Sequence, residues 1–143
     1  MAAAEDRSGE SRPEASQPRR ARRQSQREFE LEFLARVLER DPYYVEALRV
    51  HGNNLAATGQ HLRALAIDRR LVRLWPERAV PWYNLACTYA VLGMLDPAFA
   101  ALQRSLELGY RHLRHLSRDP DLRALRLDPR FPRMLRKLLG SDS

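Results

Sequence analysis

Sliding the sequence by 34 residues lays positions 45 to 78 over positions 79 to 112. In that register Leu48 falls on Trp82, Gly52 on Ala86, Leu55 on Tyr89, Gly59 on Gly93, Ala64 on Ala98 and Leu74 on Leu108. Apolar residues return at three- and four-residue intervals, which is the period of a helix, and Gly59 and Gly93 punctuate each copy near its middle. Each copy therefore reads as two helices joined by a turn. The small pairs Gly52/Ala86 and Ala64/Ala98 let two antiparallel axes approach, and the bulk of Leu48/Trp82 and Leu55/Tyr89 fills the space around the crossing. One such unit cannot bury its apolar face alone, so neighbouring units must stack.

The flanks continue the helical pattern. Phe29, Phe33 and Val37 with Leu31, Leu34 and Leu38 form a broad apolar stripe, predicting a capping helix over 25 to 40 that Asp41-Pro42 ends. Asp-Pro recurs at Asp96-Pro97, Asp119-Pro120 and Asp128-Pro129, and each reads as a helix start, with Asp as cap and Pro in the first turn. Gly109 closes another helix, and Gly140 follows the last periodic residues, Met134, Leu135, Leu138 and Leu139. No segment alternates with the enrichment in Val, Ile and Thr that strands require, so the expected class is all-α. Residues 1 to 24 contain no Leu, Ile, Val or aromatic residue and are expected to be a disordered, Arg-rich tail. The domain then runs over 25 to 139, as a capping helix at 25 to 40, repeats at 45 to 78 and 79 to 112, and a C-terminal cap at 113 to 139. Residues 140 to 143 form a short tail.

With 143 residues there is room for one compact domain. No run of 18 apolar residues exists, and Glu5 and Asp6 follow the opening Met-Ala-Ala-Ala too closely for a secretory signal. A single Cys87 cannot form an internal disulfide, which fits a reducing compartment and a cytoplasmic placement. The net charge of +7 is uneven: residues 29 to 110 are neutral, whereas residues 17 to 28 carry +4 and residues 111 to 137 carry +6. Arg supplies 24 of the 25 basic residues, a bias that codon preference alone can produce.

The stretch Trp82-Tyr83-Asn84-Leu85-Ala86-Cys87-Thr88-Tyr89, followed by Gly93 and Ala98, resembles the tetratricopeptide repeat. The first copy, from Leu48 through Gly52, Leu55, Gly59 and Ala64 to Pro76, is weaker but in phase. The tail from Gly109-Tyr110 through Arg118-Asp119-Pro120-Asp121-Leu122 to Leu125-Arg126-Leu127-Asp128-Pro129-Arg130-Phe131 is similar to the closing segment of many bacterial tetratricopeptide arrays. The resemblance implies a short right-handed superhelix of antiparallel helix pairs: two full repeats, an N-terminal capping helix and short C-terminal helices. It also implies a non-catalytic scaffold for protein-protein interaction, with a concave groove that takes a peptide or a partner helix. Glu46, Arg49, Asn53 and Ala56 would line that groove in the first copy, and Val80, Tyr83, Cys87 and Ala90 in the second. Some tetratricopeptide domains clamp a peptide's terminal carboxylates with basic and Asn residues on three successive first helices. The matching positions here hold Arg49 and Asn53, then Asn84, then Arg114 and Arg118, so an acidic partner is expected.

Two positions break the repeat. His51 replaces the Leu that Leu85 supplies, and Asp68 stands where Leu102 stands. Buried charge is costly unless paired, so the two are expected to meet, or one of them to turn to solvent.

No catalytic residue is assigned: Cys87 sits inside a helix, away from any terminus that would lower its pKa, and no phosphate loop or paired-Cys motif exists. His112 and His115 with Asp119 have a spacing that could serve a metal, but Arg111, Arg114 and Arg118 would repel one, so neither metal nor cofactor is expected. A second reading is polyanion binding, to nucleic acid or anionic membrane, through the arginines of 19 to 27 and 111 to 136. In it the final helix would offer Phe131, Met134, Leu135 and Leu138 to a bilayer.

Overall fold

A computed structural model describes residues 19 to 140, and within them the chain is all-helical. Helix α1 (Arg19–Arg40) is followed by two antiparallel pairs, α2 (Val45–Ala57) with α3 (His61–Leu74) and α4 (Ala79–Val91) with α5 (Leu95–Glu107). The closing segment holds α6 (Leu113–Arg118), a 3-10 turn (Pro120–Leu122), α7 (Arg123–Arg126) and α8 (Arg130–Leu139). Consecutive helices pack on one another, α1 on α2, α2 on α3, α3 on α4 and α4 on α5, which makes a helical-repeat stack.

The 34-residue register survives in backbone detail. Gly59 and Gly93 adopt φ of 78° and 77°, a left-handed turn conformation that costs glycine nothing. The bonds around them repeat as well: Gln60 N donates to Leu55 O at 2.8 Å, and Met94 N to Tyr89 O at 2.9 Å. Ala64, Ala86 and Ala98 have no exposed surface at all, as the close-approach argument requires. At Gly52 an added Cβ would lie 3.1 Å from Ile67 Cγ2 and 3.2 Å from Asp68 Oδ1, so the α2–α3 crossing admits no larger residue without a shift.

Buried residues fall into two clusters. One joins α1, α2 and α3 through Leu38, Leu48, Leu55, Ala64, Ile67 and Leu71. The other extends from Val72 of α3 through α8 and includes Leu85, Leu102, Leu106, Leu122, Leu125 and Phe131. The apolar face of α8 belongs to this second cluster, with Phe131 and Met134 buried and Leu135 and Leu138 packed beside them. That face closes the stack and is not presented outward as a bilayer-binding face would be. Arg130 secures the join: it bridges Asp96 at 2.6 Å and Asp128 at 3.0 Å, with its guanidinium over the Phe99 ring.

Several expectations need adjustment. Helix α1 begins at Arg19, so the Arg19-Arg20-Ala21-Arg22-Arg23 cluster opens a helix and is not part of a disordered tail. Arg, Ala and Gln are good helix formers, and they extend the segment that Leu31, Leu34 and Leu38 anchor. Residues 1 to 18 of that expected tail, and 141 to 143, lie outside the described residues. Phe29 and Phe33 stack on each other in the open, because the apolar stripe of α1 is wider than its contact with α2. Among the Asp-Pro pairs, Asp119 caps the 3-10 turn by accepting from Asp121 N, and Asp128 accepts from Arg130 N. Asp41-Pro42 instead lies in a turn ahead of α2, and Asp96-Pro97 lies inside the first turn of α5.

Candidate functional site

Residues of α2 and α4, the first helices of the two pairs, border a groove together with residues of the closing segment. Three adjoining cavities lie along it, and Asn84 lines all of them. The central one, of about 300 Å3, is bordered by Asn53 of α2, by Tyr83, Asn84 and Cys87 of α4, and by residues of the closing segment. Toward the start of α4, a cavity of about 370 Å3 opens between Arg49, Trp75, Arg78, Val80 and Pro81. A third cavity, of about 340 Å3, has Val80, Tyr83, Tyr110, His112 and His115 in its walls.

The central cavity differs in charge from the electropositive groove expected. Its ionisable lining is Asp68, Asp119, Asp121, His61, His115, Tyr83 and Cys87, with no Arg or Lys. Asn53 and Asn84 both line it. Arg49 instead borders the neighbouring apolar cavity and is bonded to Glu46 at 3.0 Å. Arg114 and Arg118 are exposed on α6 and line none of the three cavities. The physical reason is the shape of the closing segment: α6 is short, and the chain then bends at Asp119-Pro120, which aims Asp119 and Asp121 at α4.

Asp119 is the hub of that approach. The Tyr83 hydroxyl donates to its Oδ2 at 2.7 Å, His115 Nε2 lies 3.2 Å from the same oxygen, and Cys87 Sγ reaches it at 3.6 Å. Its other oxygen accepts from Asp121 N, and Arg126 holds its carbonyl at 2.6 Å. Tyr83 also stacks on Tyr110, with ring centroids 4.2 Å apart. Burial, and then the hydrogen bond to Asp119, push the Tyr83 hydroxyl far above its usual pKa, so it stays a donor. Burial likewise raises the Cys87 thiol, reinforced by the charges of Asp119 and Asp121.

His51 and Asp68 do not meet. Both are buried, and the acid takes its hydrogen bond from Thr88 Oγ1 at 2.6 Å, across the boundary between the two pairs. The physical reason is that position 68 faces the next pair as well as its own. His51 Nδ1 has no hydrogen-bond partner among the described residues, and burial, followed by the nearby Arg63, lowers the pKa of its ring. A neutral imidazole on α2 is the result.

Burial pushes the Asp68 carboxyl up to about 6 from 3.8, against the opposing pull of the Thr88 hydroxyl. Between those two values the folded chain holds more protons than the unfolded one, so this residue's contribution to stability falls as pH rises through the window. Asp68→Asn keeps an oxygen for Thr88 and removes the charge. We expect it to gain about 2 kcal/mol near neutral pH, with the gain shrinking toward zero near pH 4. Urea denaturation of both chains across that range measures the difference directly.

No family model matches the chain. It is 34% identical over 61 residues to a chloroplastic protein of Arabidopsis thaliana, a match covering 43% of this chain and 18% of that protein. It is 30% identical over 57 residues to the Cell division cycle protein 16 homolog of Homo sapiens and to that of Mus musculus, over 40% of this chain and 9% of each. The matches thus span less than a fifth of each relative's length. An all-helical stack with a 34-residue period fits a tetratricopeptide-like protein. No helix among the described residues is long and apolar enough to cross a membrane.

Proposed function

We propose that this chain is a tetratricopeptide-type scaffold without catalytic activity, and that it docks a segment of a partner protein along the α2–α4 groove. The observation that carries the reading is that Asn84 lines all three cavities. An extended peptide presents a donor and an acceptor at every unit, and a carboxamide placed at the junction of the cavities can satisfy both. The cavity beside Trp75 supplies the anchor. Its walls, Leu71, Val80 and Pro81 among them, suit an apolar side chain, and Arg49 and Arg78 stand at its border to receive a carboxylate. Arg78 lies over the Trp75 ring at 4.0 Å, which holds its guanidinium at that edge. The ligand class is therefore a peptide with an apolar residue next to an acidic one. Its carboxylate goes to Arg49 and Arg78 rather than into the carboxylate-lined central cavity.

A displayed peptide library selected on the full chain tests this. The expected peptides carry an apolar-acidic pair, and their affinity falls about tenfold or more in Arg49→Glu and in Val80→Asp. Their binding weakens only mildly with salt. Selection of no peptide, or of peptides indifferent to both variants, overturns the reading. Capture of polyanions alone, with a steep salt dependence, would favour the exposed arginines as the binding surface.

A further inference from the structure

The arginine cluster that opens α1 has no task in peptide docking. Residues 19 to 27 hold five Arg and no acid, and no acidic residue stands in the first turn of the helix. Both facts work against the helix. Its N-terminus is the positive end of the macrodipole, and arginines four apart, such as Arg19 with Arg23 and Arg23 with Arg27, repel one another. Burial does not offset the cost, because Arg19 and every described side chain from Arg22 to Phe29 are exposed. A bound polyanion would turn both effects favourable. We propose that residues 19 to 27 form a basic arm that binds double-stranded DNA by contacting its phosphate backbone.

Position sets the arm apart from the body. The α1 side chains that join the core cluster run from Leu31 to Leu38, and Glu30 accepts a hydrogen bond from Asn54 Nδ2 of α2 at 2.9 Å. Helix α1 has 22 residues and α2 only 13. With the two antiparallel and Glu30 opposite Asn54, residues 19 to 26 extend past Ala57, the last residue of α2. At 1.5 Å per residue that is a projection of about 12 Å. The helical period spreads Arg19, Arg22, Arg23 and Arg27 over about 140° of its circumference. Arg23 and Arg27 fall in line with Leu31, Leu34 and Leu38, which pack in the cluster with α2, so the stripe faces the inside corner between the arm and the end of the α2–α3 pair.

Duplex DNA suits that corner better than a bilayer does. A helix with its side chains is about 10 to 12 Å across and the major groove about 12 Å wide, so the arm can enter the groove with its guanidinium groups against the phosphates of the walls. Insertion in a bilayer requires an apolar helix face, and the arm has no residue more apolar than Ala21. Phe29 and Phe33 lie beyond the arm and project away from the side of Arg23 and Arg27. A flat surface, moreover, cannot enter an inside corner.

The test is fluorescence anisotropy of a short labelled DNA duplex, titrated with the full chain at several salt concentrations. Four or five phosphate contacts predict a slope of about −4 in log K against log salt, so binding should weaken by more than about a hundredfold between about 50 and 200 mM. Arg23→Gln combined with Arg27→Gln places good helix formers at two exposed positions. That pair should leave the circular dichroism unchanged, weaken binding about tenfold or more and reduce the slope by about 2. Arg133→Gln combined with Arg136→Gln, at exposed positions of α8, should change the affinity less than about twofold. An RNA duplex should bind more weakly, because its major groove is deep and narrow. No binding at about 50 mM salt overturns the proposal. So does binding that the α1 pair leaves unchanged or that the α8 pair abolishes, since the basic closing segment would then be the surface. RNA bound as tightly as DNA contradicts docking in the major groove, and phosphatidylserine vesicles bound in preference to the duplex would assign the arm to a membrane; either result also overturns the proposal. Peptide selection depends on the α2–α4 groove, of which the arm is no part, so each proposal can fail without the other.

Discussion

Replacing Leu102 by Ala is expected to destabilise the chain by about 3 to 4 kcal/mol. Leu102 lies on α5 with no exposed surface, in the cluster that joins α4 to the whole closing segment. Truncation removes apolar contact and leaves a void that helices fixed by neighbours on both sides cannot close. The cost should therefore lie in the upper part of the range for such changes. Urea denaturation followed by circular dichroism measures it. A loss below about 1 kcal/mol would mean that the α4–α5 pair is far looser than its packing implies. The repeat offers an internal comparison, because the equivalent position in the first pair is Asp68, whose replacement by Asn is expected to stabilise. Opposite signs at two positions one period apart arise only if both side chains are truly interior.

Asp119→Ala is the second large effect, with an expected loss of about 3 kcal/mol. One carboxylate caps the 3-10 turn through Asp121 N and accepts the Tyr83 hydroxyl from α4. Its removal leaves that buried hydroxyl without its acceptor, and leaves the turn without its cap. The damage should be local before it is global. Hydrogen exchange in 113 to 139 should speed up markedly while α2 and α3 keep their protection. Uniform loss of protection along the chain would show instead that the closing segment and the repeats unfold as one unit.

These two residues show which features can be read in the sequence and which cannot. Leu102 belongs to a periodic pattern, so its burial follows from the register that pairs Ala64 with Ala98 and Gly59 with Gly93. The stack, its turns and the capping of its C-terminal face by α8 are legible for the same reason: each depends on residues a few positions apart, or one repeat apart. Asp119 obeys no period. Its partner Tyr83 is 36 positions away, and Asp119-Pro120 reads only as the start of a helix. Cys87 reads as a packing residue, and His115 only together with its near neighbours His112 and Asp119, because nothing in a linear spacing says that a bend after α6 carries His115 and Asp119 back onto α4. The same bend leaves Arg114 and Arg118 outside, so of the positions matched on three helices Asn84 shares one cavity with Asn53 and another with Arg49, and the two arginines of α6 line neither. Charge totals mislead in a related way. The segment 111 to 137 is strongly basic as a sum, yet the part of it that lines the groove is His112, His115, Asp119 and Asp121.

The docking claim is tested most directly by the two indole N–H resonances in a 1H–15N spectrum, as a selected peptide is added to the labelled chain. Trp75 borders the anchoring cavity, whereas the Trp82 indole is bonded to Pro76 O at 2.8 Å and lines none of the three cavities. The Trp75 resonance and the Asn84 side-chain amide should shift with the titration while the Trp82 resonance stays in place. A peptide that moves Trp82 and leaves Trp75 and Asn84 unchanged would contradict docking in the α2–α4 groove.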